Sequence, residues 1–146
     1  MPELGRTLGE ELLEPTTVYA KACLDLARSL GTAEVHAMAH ITGGGLAANL
    51  ARVLPSSVTA TLDRSTWTPA PVFDLVRQVG SVAREDLERT LNCGIGMVAV
   101  TTPEAADRAV ALLGGHGVRA WVCGEVAADG DGPGGTAVVR GEHPGR

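Results

Sequence analysis

The residues with the clearest chemical potential lie in one short segment, where His40 and Thr42 precede three glycines, Gly43, Gly44 and Gly45. Glycine permits backbone angles that a side chain forbids, and a glycine turn before a helix leaves several N–H groups uncovered. The helix dipole favours an anion at such an end, and a histidine ring and a hydroxyl stand beside it. The pattern predicts a phosphate-binding loop. It equally fits a tight strand-to-helix turn that binds nothing.

Three further residues are candidates for the same site. Asn49 and Arg52 lie one turn apart after the glycines. Arg52 either helps to hold a phosphate or is an exposed, solvated arginine. Asn92 either reaches into a cleft or caps the helix before it. His40 either contacts a phosphate or moves a proton, or it is hydrogen-bonded at the end of a strand. Cys93 has no evident acidifying partner, so we expect a small buried thiol rather than a nucleophile.

The spacing of the histidines and cysteines predicts no metal site. His36 and His40 share a face of a predicted strand but would lie about 13 Å apart, at about 3.3 Å per residue. The cysteines Cys23, Cys93 and Cys123 are odd in number and far apart. They are typical of reduced thiols in a cytoplasmic protein rather than of a disulfide framework.

Composition limits the class of protein. The chain has 146 residues, 45% of them apolar, and a mean hydropathy of +0.12, which indicates one globular domain with a real core. A net charge of −5 with scattered arginines gives no basic face for duplex nucleic acid. No apolar run of 18 residues and no signal-peptide core is present, so we expect a cytoplasmic protein that does not bind membranes.

Periodicity and turn residues predict the elements that position these side chains. A helix capped by Thr16 and ended by Gly31 is followed by alternating helices and strands, with a flexible hairpin loop at 129–135. The predicted strands are 35–41, 58–63, 94–100, 118–126 and 136–139, and the later helices are 46–54, 72–80, 84–91 and 103–113. This order predicts an α+β fold, an α/β sandwich with a mixed sheet covered by helices. We expect a lead-in at 1–15, a single domain at 16–140 and a disordered tail at 141–146.

Three separated motifs, in the same order, resemble the carboxy-terminal domain of the aminoimidazole ribonucleotide synthetase family, also called phosphoribosylformylglycinamidine cyclo-ligases. They are Leu12-Leu13-Glu14-Pro15-Thr16 with Tyr19 and Lys21; Met38-Ala39-His40-Ile41-Thr42-Gly43-Gly44-Gly45-Leu46 with Asn49-Leu50 and Arg52-Val53-Leu54-Pro55; and Arg89-Thr90-Leu91-Asn92-Cys93-Gly94-Ile95-Gly96-Met97, preceded by Trp67 and Pro71-Val72-Phe73. Two positions depart from the family pattern. Thr17 stands where the family usually has arginine, and Leu91 where it usually has phenylalanine.

The resemblance implies ATP-dependent ring closure of formylglycinamidine ribonucleotide in purine biosynthesis. It implies ATP and Mg2+ in the complete enzyme, bound mainly by an N-terminal nucleotide-binding domain that we expect to be absent here, so the isolated chain would be inactive. The partners implied are a phosphorylated purine-pathway intermediate, that N-terminal domain and a second copy in a homodimer. Alternatives are a stand-alone phosphate- or nucleotide-binding module, and a related enzyme of the selenophosphate synthetase or thiamine-phosphate kinase type.

Overall fold

The structure is a computed structural model that describes residues 2–128 and 135–144. Its helices are α1 Leu8–Leu12, α2 Ala20–Leu30, α3 Gly45–Ala51, α4 Pro71–Val79, α5 Arg84–Thr90 and α6 Ala106–Gly115. Its strands are β1 Val35–His40, β2 Val58–Asp63, β3 Met97–Thr101, β4 Gly124–Ala128 and β5 Thr136–Arg140. Short 3-10 turns occupy Pro2–Leu4, Arg64–Thr66 and Pro103–Ala105. Among these described helices, none is both long and apolar enough to cross a bilayer.

Two small sheets form the framework. Strands β1 and β3 pair antiparallel, with His40 opposite Met97. Strand β2 lies between β4, to which it is antiparallel, and β5, to which it is parallel. Helices pack on both sheets, so the predicted α+β class with a mixed sheet is confirmed, although the strands divide into two sheets rather than one.

A single apolar cluster joins the two sheets through α3. Ile41 and Leu50 are almost completely buried, and α3 contacts β1, β5 and α5. The buried members of the cluster are Ala39, Ile41, Leu46, Leu50, Ala60, Leu62, Trp67, Ile95 and Val98. Except for Trp67, these side chains are small or aliphatic, as expected from a chain with only 3% aromatic residues. The helix after the glycines is therefore held in the centre of the fold.

The predicted start of α2 is wrong, and its predicted end is confirmed. Helix α2 begins at Ala20, with Tyr19 as N-cap and no side-chain cap bond. The apolar face of α2 starts only after residue 18, because Val18 is 80% exposed. No apolar burial therefore stabilises a helical turn at Thr16. At the other end, Gly31 adopts φ +69° and its N–H donates to the Ala27 carbonyl at 3.0 Å.

Two predicted strands are shortened by local backbone geometry. The strand predicted at 94–100 begins only at Met97, because Cys93 and Gly94 form a turn with φ of +47° and +95°. The strand predicted at 118–126 is confined to Gly124–Ala128. Within 118–123, Trp121 and Cys123 pack against the core cluster, and the Cys123 carbonyl accepts the Asp63 N–H at the end of β2 at 2.8 Å. Apolar character there reflects burial rather than strand pairing.

The connection between β4 and β5 is not a hairpin. The two strands lie on opposite sides of β2, so the chain must cross from one edge of this sheet to the other. Alternating apolar residues around a glycine-rich loop fit both a hairpin between neighbouring strands and a crossover between the two edges of a sheet. The predicted flexibility of this loop concerns residues 129–134, which lie outside the described residues.

Candidate functional site

Two of the three glycines have conformations that glycine favours. Gly44 is the N-cap of α3 with φ +100°, and Gly45 has φ +72°. A β-carbon added at Gly45 would lie 1.8 Å from the backbone oxygen of Glu88, whereas one at Gly43 would meet nothing within 4 Å. The glycine loop, residues 42–45, therefore makes a tight turn and brings α3 against α5.

Asn49 holds the glycine loop in place from inside. It is only 5% exposed, and its Nδ2 donates to the carbonyl oxygens of Gly45, Gly43 and Thr42 at 2.7, 3.2 and 3.3 Å. Its Oδ1 lies 3.4 Å from both the Thr42 hydroxyl and an Arg52 guanidinium nitrogen. The amide of Asn49 is thus used within the loop, which is a structural function that the sequence pattern did not reveal.

A cavity of about 360 Å³ opens beside this loop, and it is the centre of the candidate site. It brings Gly44, from the glycine loop, together with Asn92, from the far end of α5. The lining residues are Gly44, Leu46, Ala47, Ala48, Arg64, Trp67, Glu85, Glu88, Arg89, Leu91, Asn92, Cys93, Val139 and His143. Apolar walls with a few charged groups are typical of a small-molecule site.

The charged groups of the cavity are partly organised by an ion pair. Arg64 donates from Nε to Glu88 Oε1 at 3.0 Å and from Nη2 to Glu88 Oε2 at 2.5 Å. A third bond runs from Arg64 Nη1 to the Val139 carbonyl at 2.9 Å. The hydrogen bonds to Glu88 raise the pKa of the Arg64 guanidinium, with burial opposing them. Arg64 is therefore a fixed positive charge that ties β5 to α5.

Arg89 is the more available cation of the cavity. It is exposed at the end of α5 and forms no hydrogen bond or ion pair with the residues that the structure describes. An arginine with its donors facing solvent can bind an anionic group without first breaking an internal pair. Arg89 belongs to the third sequence motif, yet the sequence reasoning did not single it out.

Trp67 and His143 form the inner wall of the cavity. Trp67 donates from Nε1 to the Cys93 carbonyl at 3.3 Å, and its ring meets the His143 ring edge-on with centroids 4.8 Å apart. His143 is 4% exposed. The expected disordered tail is therefore wrong at residues 141–144, because a buried aromatic contact holds this segment. Residues 145–146 lie outside the described residues.

The structure brings only part of the predicted site to the cavity. Gly44 and Asn92 line it, whereas Thr42, Gly43, Gly45, Asn49 and Arg52 belong to the loop and helix behind it. Asn92 does not cap α5 with its side chain; its Oδ1 accepts the Gly94 N–H at 3.1 Å within the following turn.

His40 does not line the cavity. It is exposed at the end of β1, with its ring 6.5 Å from that of Tyr19 in an edge arrangement. Its catalytic role stays a prediction. The cavity residues that sequence reasoning missed are Arg64, Glu88, Arg89 and His143. Their positions depend on turns and on the crossing from β4 to β5, and neither feature produces a periodic pattern in the sequence.

Cys93 is buried, as expected for a structural thiol, and burial raises the pKa of the Cys123 thiol above its ordinary value. Within residues 2–128 and 135–144, no group of three or more histidine, cysteine or acidic side chains is arranged to hold a metal ion.

Comparison with known families agrees with this fold. The family described as AIR synthase related protein, C-terminal domain, matches residues 2–134. The chain belongs to this family. A relative from Streptomyces fradiae, which carries the provisional name phosphoribosylformylglycinamidine cyclo-ligase, is 62% identical over 131 residues. That match covers 90% of the chain and 70% of the relative. As an AIR synthase related C-terminal domain, the chain combines the family's α+β fold with a cavity between two of its sequence motifs.

Proposed function

We propose that this chain is the substrate-side C-terminal domain of a phosphoribosylformylglycinamidine cyclo-ligase. The reaction is the ATP-dependent closure of formylglycinamidine ribonucleotide to aminoimidazole ribonucleotide in purine biosynthesis. The name of the 62% identical relative supports this assignment. The observation that carries it is the cavity, because Gly44 and Asn92, from two separate family motifs, meet at its rim.

The cavity has the chemistry that a phosphorylated ribonucleotide requires. Arg89 offers an unpaired guanidinium among the described residues, and the Gly44 backbone has no side chain to block an approaching phosphate. Trp67, Leu46 and Leu91 supply apolar surface for the sugar. We propose that the phosphate binds between Arg89 and the glycine loop, with Thr42 and Asn49 fixing the shape of that loop.

We further propose that ATP and Mg2+ are bound chiefly by a nucleotide-binding domain on the N-terminal side of this domain, in a homodimeric cytoplasmic enzyme. Phosphoryl transfer depends mainly on positioning and on stabilising charge. In this arrangement the domain described here orients the substrate. The three free cysteines support a reducing compartment.

Calorimetric titration of the chain with formylglycinamidine ribonucleotide tests this proposal. We expect saturable binding that weakens about tenfold in Arg89→Gln, because one charge-assisted bond to phosphate is lost. Arg28→Gln is the matched control, since Arg28 is exposed on α2, away from the cavity, and should leave the Kd unchanged. Absence of binding, or equal effects of the two substitutions, would contradict the proposed function.

A further inference from the structure

The ring of His143 is fixed by only one of its two nitrogens. Nδ1 lies 3.0 Å from the Trp67 carbonyl oxygen and 3.1 Å from the Arg64 carbonyl oxygen. Both partners are acceptors without a proton to give, so Nδ1 must carry the hydrogen and donate. In the neutral ring, Nε2 is then an acceptor with a lone pair.

Nε2 has no hydrogen bond of its own among the described residues. Glu88 Oε1 lies 3.8 Å from it, which is too long for a hydrogen bond. Both oxygens of Glu88 already accept from Arg64. The groups that face the ring include the Glu88 carboxylate, already paired with Arg64, the carbonyls of Arg64 and Trp67, and the Trp67 ring.

This nitrogen nevertheless keeps access to open space. No side-chain nitrogen or oxygen of the described residues is both sealed from solvent and without a hydrogen-bond partner. Nε2 lacks a partner, so it is not sealed, although the whole residue is only 4% exposed. His143 borders the 360 Å³ cavity and a recess of about 10 Å³, which is at the lower limit for one water molecule. Of the two spaces, only the larger cavity has room for a ligand.

We propose that His143 Nε2 is the hydrogen-bond acceptor through which the cavity recognises an N–H donor of its ligand. The ligand class is a phosphorylated compound that presents an amidine or similar N–H group to His143 and an anionic group to Arg89. The carboxylates of Glu85 and Glu88 also line the cavity and reinforce its preference for a donor. This inference rests on the proposed function and assigns the residue that binds the substrate's amidine.

The fixed ring makes this recognition selective. Because Nδ1 is held by two carbonyls, the ring cannot turn to offer an N–H in place of its lone pair without losing both bonds. A neutral His143 therefore accepts from N–H groups and rejects ligands that present only acceptors at this point. The segment after β5 supplies this group, so a residue outside the three sequence motifs contributes to ligand selection.

The test follows the imidazole nitrogens by NMR in protein labelled with 15N-histidine, while calorimetry reports binding. On addition of formylglycinamidine ribonucleotide, we expect the His143 Nε2 resonance to shift as it gains a hydrogen bond, with Nδ1 remaining protonated. If calorimetry shows binding but Nε2 does not respond, this inference is wrong and the proposed function stands. If calorimetry shows no binding, both fall together.

Substitution provides an independent readout. In His143→Asn the side-chain amide can still donate to the carbonyls of Arg64 and Trp67, but the acceptor at Nε2 is lost. We expect a folded protein with a Kd for the ribonucleotide about tenfold higher. In His143→Gln the anchoring donor is displaced, so the thermal midpoint should fall instead. An unchanged Kd in a folded His143→Asn protein would overturn the inference, and the NMR measurement decides if that variant does not fold.

Discussion

Gly45 and Glu88 are in backbone contact so close that a β-carbon at position 45 would lie 1.8 Å from the Glu88 carbonyl oxygen. This contact fixes the start of α3 against α5. It also adjoins the cavity, because Gly44, which precedes Gly45, and Glu88 both line it. The third glycine therefore supports one side of the site through its packing on α5.

Gly45→Ala should strongly destabilise the domain. The substitution forces backbone of α3 and α5 apart and places a β-carbon on a residue with φ +72°. Overpacking and left-handed strain each cost about 1–3 kcal/mol, so we expect a loss of about 2–5 kcal/mol in the free energy of unfolding, measured with urea.

Gly43→Ala is the matched control for this effect. A β-carbon at Gly43 has nothing within 4 Å, and Gly43 is not among the residues with positive φ. We expect a change below about 0.5 kcal/mol, as for an unconstrained surface position. Similar losses in the two variants would show that glycine is required for flexibility of the loop and not for its contact with α5.

Asn49→Leu should destabilise the domain while keeping the branched shape of the side chain. The substitution removes the donor shared by the carbonyls of Thr42, Gly43 and Gly45, and the bond to the Gly45 carbonyl is buried. We expect a loss of about 2–3 kcal/mol by urea denaturation. Arg52→Leu, in the next turn and exposed, should change stability by less than about 0.5 kcal/mol. An unchanged stability of Asn49→Leu would show that these hydrogen bonds do not hold the glycine loop, and would leave Asn49 as a candidate ligand-binding residue.

Sequence reasoning succeeded where local chemistry determines structure. The glycine punctuation, the β2 strand and the C-cap at Gly31 follow from propensity and periodicity, and the structure confirms them. The sequence-based predictions were wrong where contacts between residues far apart in the chain determine the structure. The burial of His143 depends on Trp67, far away in sequence, and the crossing from β4 to β5 depends on pairing with β2. No local pattern encodes either relationship.

The candidate site shows the same division. Gly44 and Asn92 were identifiable because they lie in motifs, but their meeting at one cavity required the packing of α3 on α5. Asn49 was a candidate binding residue because it lies on the helix that follows the glycines. Its three internal acceptors are visible only in three dimensions.

Asp63 should contribute an acid-sensitive part of the stability. Its Oδ1 accepts the Ser65 N–H at 2.8 Å, and this bond lowers the pKa of Asp63 below its ordinary value of 3.8. A carboxylate with a lowered folded pKa stabilises the protein above pH 3.8, and that contribution is lost as the pH falls through the lower, folded value. Asp63→Asn should therefore unfold with a shallower pH dependence between about pH 4 and pH 2.

The control for this titration is Glu104→Gln, because Glu104 is an exposed carboxylate without a backbone N–H partner among the described residues. Urea midpoints measured across the acid range should keep the wild-type slope in Glu104→Gln. If Asp63→Asn also keeps that slope, the hydrogen bond to Ser65 does not persist in solution.

His40 provides a kinetic test of the predicted catalytic residue. If its ring moves a proton during ring closure, His40→Ala in the complete enzyme should lower turnover by about 10²–10⁴-fold with little change in thermal midpoint. His36→Ala, on the same strand and also exposed, should stay within a few-fold. Small and equal effects at the two histidines would assign His40 a structural role beside Tyr19.

The most direct measurement of the central claim is a backbone-amide NMR titration of the 15N-labelled chain with formylglycinamidine ribonucleotide. If the glycine loop and the turn at Asn92 form one substrate site, the resonances of Gly44, Leu46, Asn92 and Cys93 should shift together along one binding curve. Amides on β4 should stay unmoved. Shifts confined to β4 or to α1, with the cavity residues unchanged, would contradict the account.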